Sequence, residues 1–209
     1  MPYEVVGESA EDVFERELVD LIWGKSALDA GCGHGEFTLK MARYAGSIIG
    51  YDFAHDLLSI AERLKAESGV NNVTFLATNW GGLLPFGDRT FDVIYSRRGP
   101  GSIVEQPKRL KSGGIVMGIH KYPIPDGEIA DRIKATGAYR NITVRAYQGA
   151  VTYFKNEADF AEYLSSQHLA PDCTLPENRR AFEEILKDSW IGGRIGVRES
   201  KQIWRAVKK

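Results

Sequence analysis

Three glycines at alternate positions, Gly31, Gly33 and Gly35, follow a short apolar run, and an acid, Asp29, stands two residues before the first of them. Glycine has no Cβ to hold a ligand off the main chain, so a strand ending in such a turn lets a small molecule lie against peptide groups. The acid decides what kind of molecule. A carboxylate at that place favours a ligand carrying positive charge, whereas a pyrophosphate gains from an uncluttered helix N-terminus. A dinucleotide fingerprint also needs its third glycine one place later, where this chain has Glu36. The alternative is a mere tight turn in which Asp29 bonds local backbone.

A second acid, Asp52, ends the next apolar run, 21 residues after Gly31. Brought to the same crevice, its carboxylate can accept both hydroxyls of an unphosphorylated ribose, which suits NAD and S-adenosylmethionine alike; it could also cap the helix that starts near His55. S-adenosylmethionine carries an ammonium and a sulfonium and no phosphate, so Asp29 together with Asp52 favours it. Further along, Ser96, Arg97 and Arg98 close one apolar run, and His120 and Tyr122 close another. A guanidinium fork suits a carboxylate or phosphate, and equally a surface salt bridge. His120 is placed either to take a proton from a hydroxyl or amine, or to serve as a structural hydrogen-bonding group. His34 is assigned no chemistry. Cys32 and Cys173 lie in no zinc-like spacing, so both read as reduced thiols and no metal is expected.

These groups need elements to position them. The spacing predicts a helix over 9–23, a strand SALDA (26–30) entering the glycine turn, and a helix over 36–45. A strand SIIGYD (47–52), a helix near 55–67 and a strand VTFLA (73–77) follow. FDVIYS (91–96) and GGIVMGIH (113–120) are strands with a helix expected around 102–110 between them. Such alternation predicts a parallel sheet with right-handed crossovers and helices on both faces. After Pro123 and Pro125 the pattern becomes a helix near 127–136, a strand near 141–147, two helices marked by Phe160 and Phe182, and a final strand KQIWRAV (201–207).

The bulk properties set limits. A chain of 209 residues suits one domain, and 43% hydrophobic with 26% charged residues suits a folded protein. A net charge of -1 lacks the basic field of a dedicated nucleic-acid binder. Basic residues do cluster in 97–111 and 194–209, either to meet RNA phosphates or as solvated faces. The N-terminus is acidic, and nowhere do 18 apolar residues run together. No membrane contact and a cytoplasmic setting are therefore expected.

ALDAGCGHGEF (27–37), IIGYDFAHDLLSIAERLK (48–65), LPF (84–86) with FDVIYS, and LKSGGIVMGIH (110–120) together resemble the class I S-adenosylmethionine-dependent methyltransferases of the small single-domain type. The resemblance spans roughly 20–122 and implies a Rossmann-like α/β fold, with a mostly parallel seven-stranded sheet, helices on both faces and an antiparallel C-terminal strand. It implies that Asp29, Gly31, Cys32, Gly33 and Gly35 hold the methionine part of the cofactor, that Asp52 binds the ribose, that Phe53 lies beside the adenine, and that Ser96 joins this set. Where many members have an aspartate contacting the adenine amine, this chain reads ATNWGG, so Asn79 or Trp80 stands in.

The expected reaction is methyl transfer from S-adenosyl-L-methionine, leaving S-adenosyl-L-homocysteine. The acceptor is expected to be a small molecule, an anionic one if Arg97 and Arg98 anchor it, with RNA as the alternative. An NAD-dependent oxidoreductase and a non-catalytic nucleotide-binding module are the readings from other classes. No NPPY or DPPY follows the strand 91–96 and no Pro-Cys stands nearby, which argues against methylation of adenine or glutamine amides and of cytosine C5. No residue is assigned a catalytic role. The chain is read as one methyltransferase domain over 1–209, with a helical segment at 1–24 and acceptor specificity in 121–195.

Overall fold

The computed structural model describes residues 3–78, 86–121, 129–166 and 171–209. In chain order the elements are β1 (Tyr3–Val6), α1 (Ala10–Ile22), β2 (Ser26–Ala30), α2 (Glu36–Ala42), β3 (Ser47–Asp52), α3 (His55–Ser68), β4 (Val73–Ala77), β5 (Phe91–Arg97), β6 (Leu110–Lys121), α4 (Ile129–Ala135), β7 (Tyr139–Tyr147), β8 (Val151–Phe154), α5 (Glu157–Ser166), α6 (Arg179–Lys187), β9 (Trp190–Ile191), β10 (Arg194–Arg198) and β11 (Lys201–Lys208).

The chain divides into two compact units. The larger, 11–146 with 201–209, holds a seven-stranded sheet in the order β4-β3-β2-β5-β6-β11-β7. β4, β3, β2, β5 and β6 run parallel, and β11 lies antiparallel to β6. From β2 the chain first builds outward through β3 and β4, then returns to add β5 on the other side. The carboxyl ends of β2 and β5 thus flank a topological switch point, where ligands of open α/β sheets bind. The smaller unit, 1–10 with 147–200, has an antiparallel sheet in the order β1-β8-β10-β9, with Phe154 and Ile195 packed on Phe160 of α5 and on Phe182 and Leu186 of α6.

Alternation along the strands of the large sheet sorts the site. Leu28, Ala30, Tyr51, Ile94, Val116 and Trp204 share a core with Ile129 and Ile133 of α4. Asp29 and Tyr95, one residue out of phase, point to the opposite face.

Three features differ from expectation. Residues 102–110 form two 3-10 turns, Gly101–Glu105 and Pro107–Arg109, in place of a helix. Pro107 supplies no N–H and bars the helical conformation to Gln106, which sits at φ -111° and ψ 44°. The next strand accordingly begins at Leu110. The N-terminal segment opens with the strand β1, and β8, β9 and β10 interrupt the region expected to hold only helices; runs of two to five residues are too short to display a period.

Trp204 packs flat on Gly118, its partner across β6 and β11. A Cβ on Gly118 would come within 2.3 Å of the Trp204 ring, so Gly118→Ala is expected to lower stability by about 1–3 kcal/mol, read from urea unfolding.

Candidate active site

The glycine turn joins β2 to α2, and all three of its glycines are left-handed, with φ of 77°, 55° and 79° at Gly31, Gly33 and Gly35. The Gly31 and Cys32 amides both donate to the Tyr51 carbonyl, at 2.9 and 3.0 Å. A Cβ on Gly31 would stand 2.8 Å from Pro100 Cδ and 3.0 Å from Gly99 Cα, and one on Gly35 2.6 Å from the Phe75 ring. Those two glycines are demanded by the protein's own packing. A Cβ on Gly33 would meet nothing within 4 Å, so this glycine borders open space, as the near wall of a ligand crevice does.

Asp29 is 2% exposed, and its Oδ2 accepts from the Thr38 hydroxyl of α2 at 2.7 Å. Burial raises its pKa from an ordinary 3.8 to about 6, against the opposing influence of Thr38, Tyr95 and Arg97. The Tyr95 hydroxyl lies toward this carboxylate without a hydrogen bond of normal geometry. Asp52 spans the turn: Oδ2 accepts from the Gly33 amide at 2.9 Å and Oδ1 from the Ala54 amide at 3.0 Å. Ala54 immediately precedes α3 and makes no side-chain cap, so the carboxylate tethers loop to loop more than it caps the helix. Each oxygen keeps a second lone pair for a ligand hydroxyl. Cys32 is a protonated thiol, since burial and the flanking Asp29 and Asp52 all push its pKa up. Phe53 is 72% exposed just beyond Asp52. Asn79, Trp80 and Tyr122 lie outside the described residues.

At the end of β5 the sequence-derived candidates part company. Ser96 is fully buried beneath the crevice wall, its Oγ without a partner among the described residues. Arg97 donates to Glu11 of α1 at 2.7 Å and covers the Phe37 ring at 4.5 Å. Arg98, left-handed at φ 64°, and Lys201 approach the same carboxylate at 3.6 and 3.0 Å. Burial opposes ionisation of Glu11, but Lys201 and Arg97 outweigh it and hold the carboxyl low. His120 faces the other side of the sheet, bonded at both nitrogens: Nε2 lies 2.8 Å from the Gly99 carbonyl oxygen, and Nδ1 accepts from the Trp204 indole at 3.0 Å.

Glu11, Thr38, Tyr95, Gly99 and Trp204 join the site unannounced by sequence. Only Gly99 carried a signal, as part of the RRGPG cluster after a strand; the rest are ordinary residues of helices and strands until packing brings them together.

Against this geometry stand the likenesses to known proteins. A family model described as "Methyltransferase domain" matches residues 23–169. The chain is 34% identical over 79 residues to a demethylmenaquinone methyltransferase of Shouchella clausii, covering 36% of this chain and 33% of that protein. It is 29% identical over 161 residues to a ubiquinone/menaquinone biosynthesis C-methyltransferase of Marinomonas sp., covering 71% of this chain and 61% of that one. The match thus spans between about a third and three fifths of these relatives' lengths. A protein of unknown function from Deinococcus radiodurans superposes with a TM-score of 0.73 at 20% identity, over all of this chain and 92% of its own.

Because Asp29 binds a proton more tightly when folded, its contribution to stability is full below pH 3.8 and is lost as pH rises through about 6. Asp29→Asn, which keeps an acceptor for Thr38, is expected to raise stability by about 1–3 kcal/mol at pH 8 and to leave it unchanged near pH 4, measured by urea unfolding at the two pH values.

Proposed function

This chain belongs to the class I S-adenosylmethionine-dependent methyltransferase family, and we propose that it transfers the methyl group of that cofactor to a small-molecule acceptor, leaving S-adenosylhomocysteine. The carrying observation is the pair of acids about the glycine turn, Asp29 beneath it and Asp52 bonded across it. In this reading Asp29 answers the ammonium of the methionine part, while Gly31, Cys32, Gly33 and Gly35 let that part lie against backbone. Asp52 takes the ribose hydroxyls with its remaining lone pairs, and the exposed Phe53 offers its ring to the adenine, with Asn79 or Trp80 at the adenine's far edge. Ser96 supports the wall from below. Bound in this way, S-adenosylmethionine supplies a methyl carbon already activated by its sulfonium. The protein's part is then orientation, which for well-placed reactants is worth up to roughly 7–11 kcal/mol, and no general base is required of it.

A dinucleotide fits less well. Glu36 opens α2, setting a negative charge where a pyrophosphate would seek the helix N-terminus. An RNA acceptor also has less support, because six of the cations in the two basic clusters are engaged by carboxylates: Arg97, Arg98 and Lys201 by Glu11, Lys111 by Asp92, Arg109 by Asp88 and Arg194 by Glu4. The same engagement weakens the case for an anionic acceptor held by Arg97. The names of the curated relatives support a quinone-type ring compound methylated at carbon. We assign acceptor choice to 121–195, which follows the sequence blocks that carry the cofactor crevice and of which 170–195 lies beyond the family match, within a single methyltransferase domain over 1–209. No helix among the described residues is long and apolar enough to cross a membrane, and two unpaired cysteines suit the reducing cytoplasm.

Calorimetry with S-adenosylmethionine and with NADH is the test. Binding of the first and not the second is expected; a folded protein that ignores S-adenosylmethionine at millimolar concentration would sink the proposal. Asp52→Ala is expected to weaken the binding by about 1–3 kcal/mol, and an unchanged affinity would remove Asp52 from the site.

A further inference from the structure

Gly99 presses on the glycine turn backbone to backbone. A Cβ on it would stand 2.4 Å from the Ala30 carbonyl oxygen, 3.0 Å from Ser96 Oγ and 3.2 Å from Gly31 Cα. The last ladder bond of β5 with β6 is the Arg98 amide donating to the Ile119 carbonyl at 3.0 Å, and Arg98 itself is left-handed, a conformation that a non-glycine residue holds only when its surroundings fix it. The next polar tie to the sheet is the contact of His120 Nε2 with the Gly99 carbonyl oxygen at 2.8 Å.

The proton on that imidazole can be placed. The Trp204 indole has only a hydrogen to give, so His120 Nδ1 accepts it and carries none, which leaves the proton on Nε2, donated to Gly99. The two rings are nearly parallel, at 8° with centroids 5.9 Å apart, an orientation compatible with an N–H···N bond between their edges. Trp204 is fully buried and locked over Gly118, so the donor cannot turn away. Burial and then Arg132 of α4 disfavour the imidazolium, with the Gly99 bond opposing them. Arg132 is itself paired with Glu105 at 2.6 Å, and the neighbour of His120 across β11, Gln202, is uncharged.

We infer that His120 is a positioning residue: held by Trp204 as the Nε2–H tautomer, it pins the Gly99 carbonyl and so fixes the wall against which the cofactor's methionine end is seated. This rests on the S-adenosylmethionine reading of the crevice. It also removes His120 as a general base, since neither ring nitrogen keeps a free lone pair, and it gives buried Trp204 a role at a distance from the ligand.

The test compares S-adenosylhomocysteine affinity by calorimetry at pH 8 in the wild type, His120→Phe, His120→Gln and Trp204→Phe. Phe keeps a flat ring and loses the donor, so affinity should fall roughly tenfold, while Gln, which restores an N–H, should recover most of it. Trp204→Phe frees the tautomer without touching Gly99. It should weaken binding by a few fold, and in 15N spectra of labelled histidine it should replace a single Nε2–H form of His120 with a mixture that titrates. Equal affinity in wild type and His120→Phe overturns the inference while leaving the cofactor reading intact. Wild-type protein that binds no S-adenosylhomocysteine overturns both. If His120→Phe does not fold, a Trp204→Phe protein with wild-type affinity and an unchanged histidine spectrum overturns the inference alone.

Discussion

Two loops can meet at the switch point only because neither has a side chain in the way. Gly31 and Gly99 approach each other at distances where a Cβ on either would overlap backbone, and Gly35 lets α2 settle onto Phe75 and Ala61. Close backbone contact between the ends of β2 and β5 brings Asp29, Asp52 and the end of β5 within the span of one small ligand. Were the loops held apart by one methyl group, the carboxylates would face bulk water and lose most of their selectivity for a cation.

That closeness has an electrostatic consequence. Among the described residues Asp29 is buried with one hydroxyl donor and no direct cation, so its ionised form is disfavoured. A bound ammonium would relieve the deficit. A local instability that a ligand relieves is a common arrangement where stability and function compete. Glu11 shows the opposite balance. Three cations, Arg97, Arg98 and Lys201, converge on one carboxylate and tie α1, β5 and β11 together at the same end of the sheet.

The period-two alternation of β5 and β6 divides labour between the faces. Tyr95 and Arg97 fall on the side of Asp29, α1 and α2, while Ser96 and His120 fall on the side of Trp204 and α4. Neighbours in sequence thus serve different purposes: Arg97 supports the acid, and Ser96 lies beneath the wall. In the chain all of these read alike, as polar residues at strand ends, so the sequence could nominate them for the acceptor side but not tell supporters from contacts.

Local chemistry made the glycine turn, its two acids and the alternation of the large sheet legible, because left-handed turns need glycine and buried strands need apolar runs. Pro107 is equally local chemistry, and it breaks the expected helix over 102–110 into 3-10 turns. Short strands such as β1 and β9 left no period to read, since their place is set by partners far along the chain. The sequence by itself therefore determined the family, the large sheet of the fold and the acid-glycine turn. Only the tertiary structure decided that Arg97 answers Glu11 and that His120 is spent on Gly99 and Trp204, because a side chain's role follows from which distant groups satisfy its hydrogen bonds, and that is a property of packing.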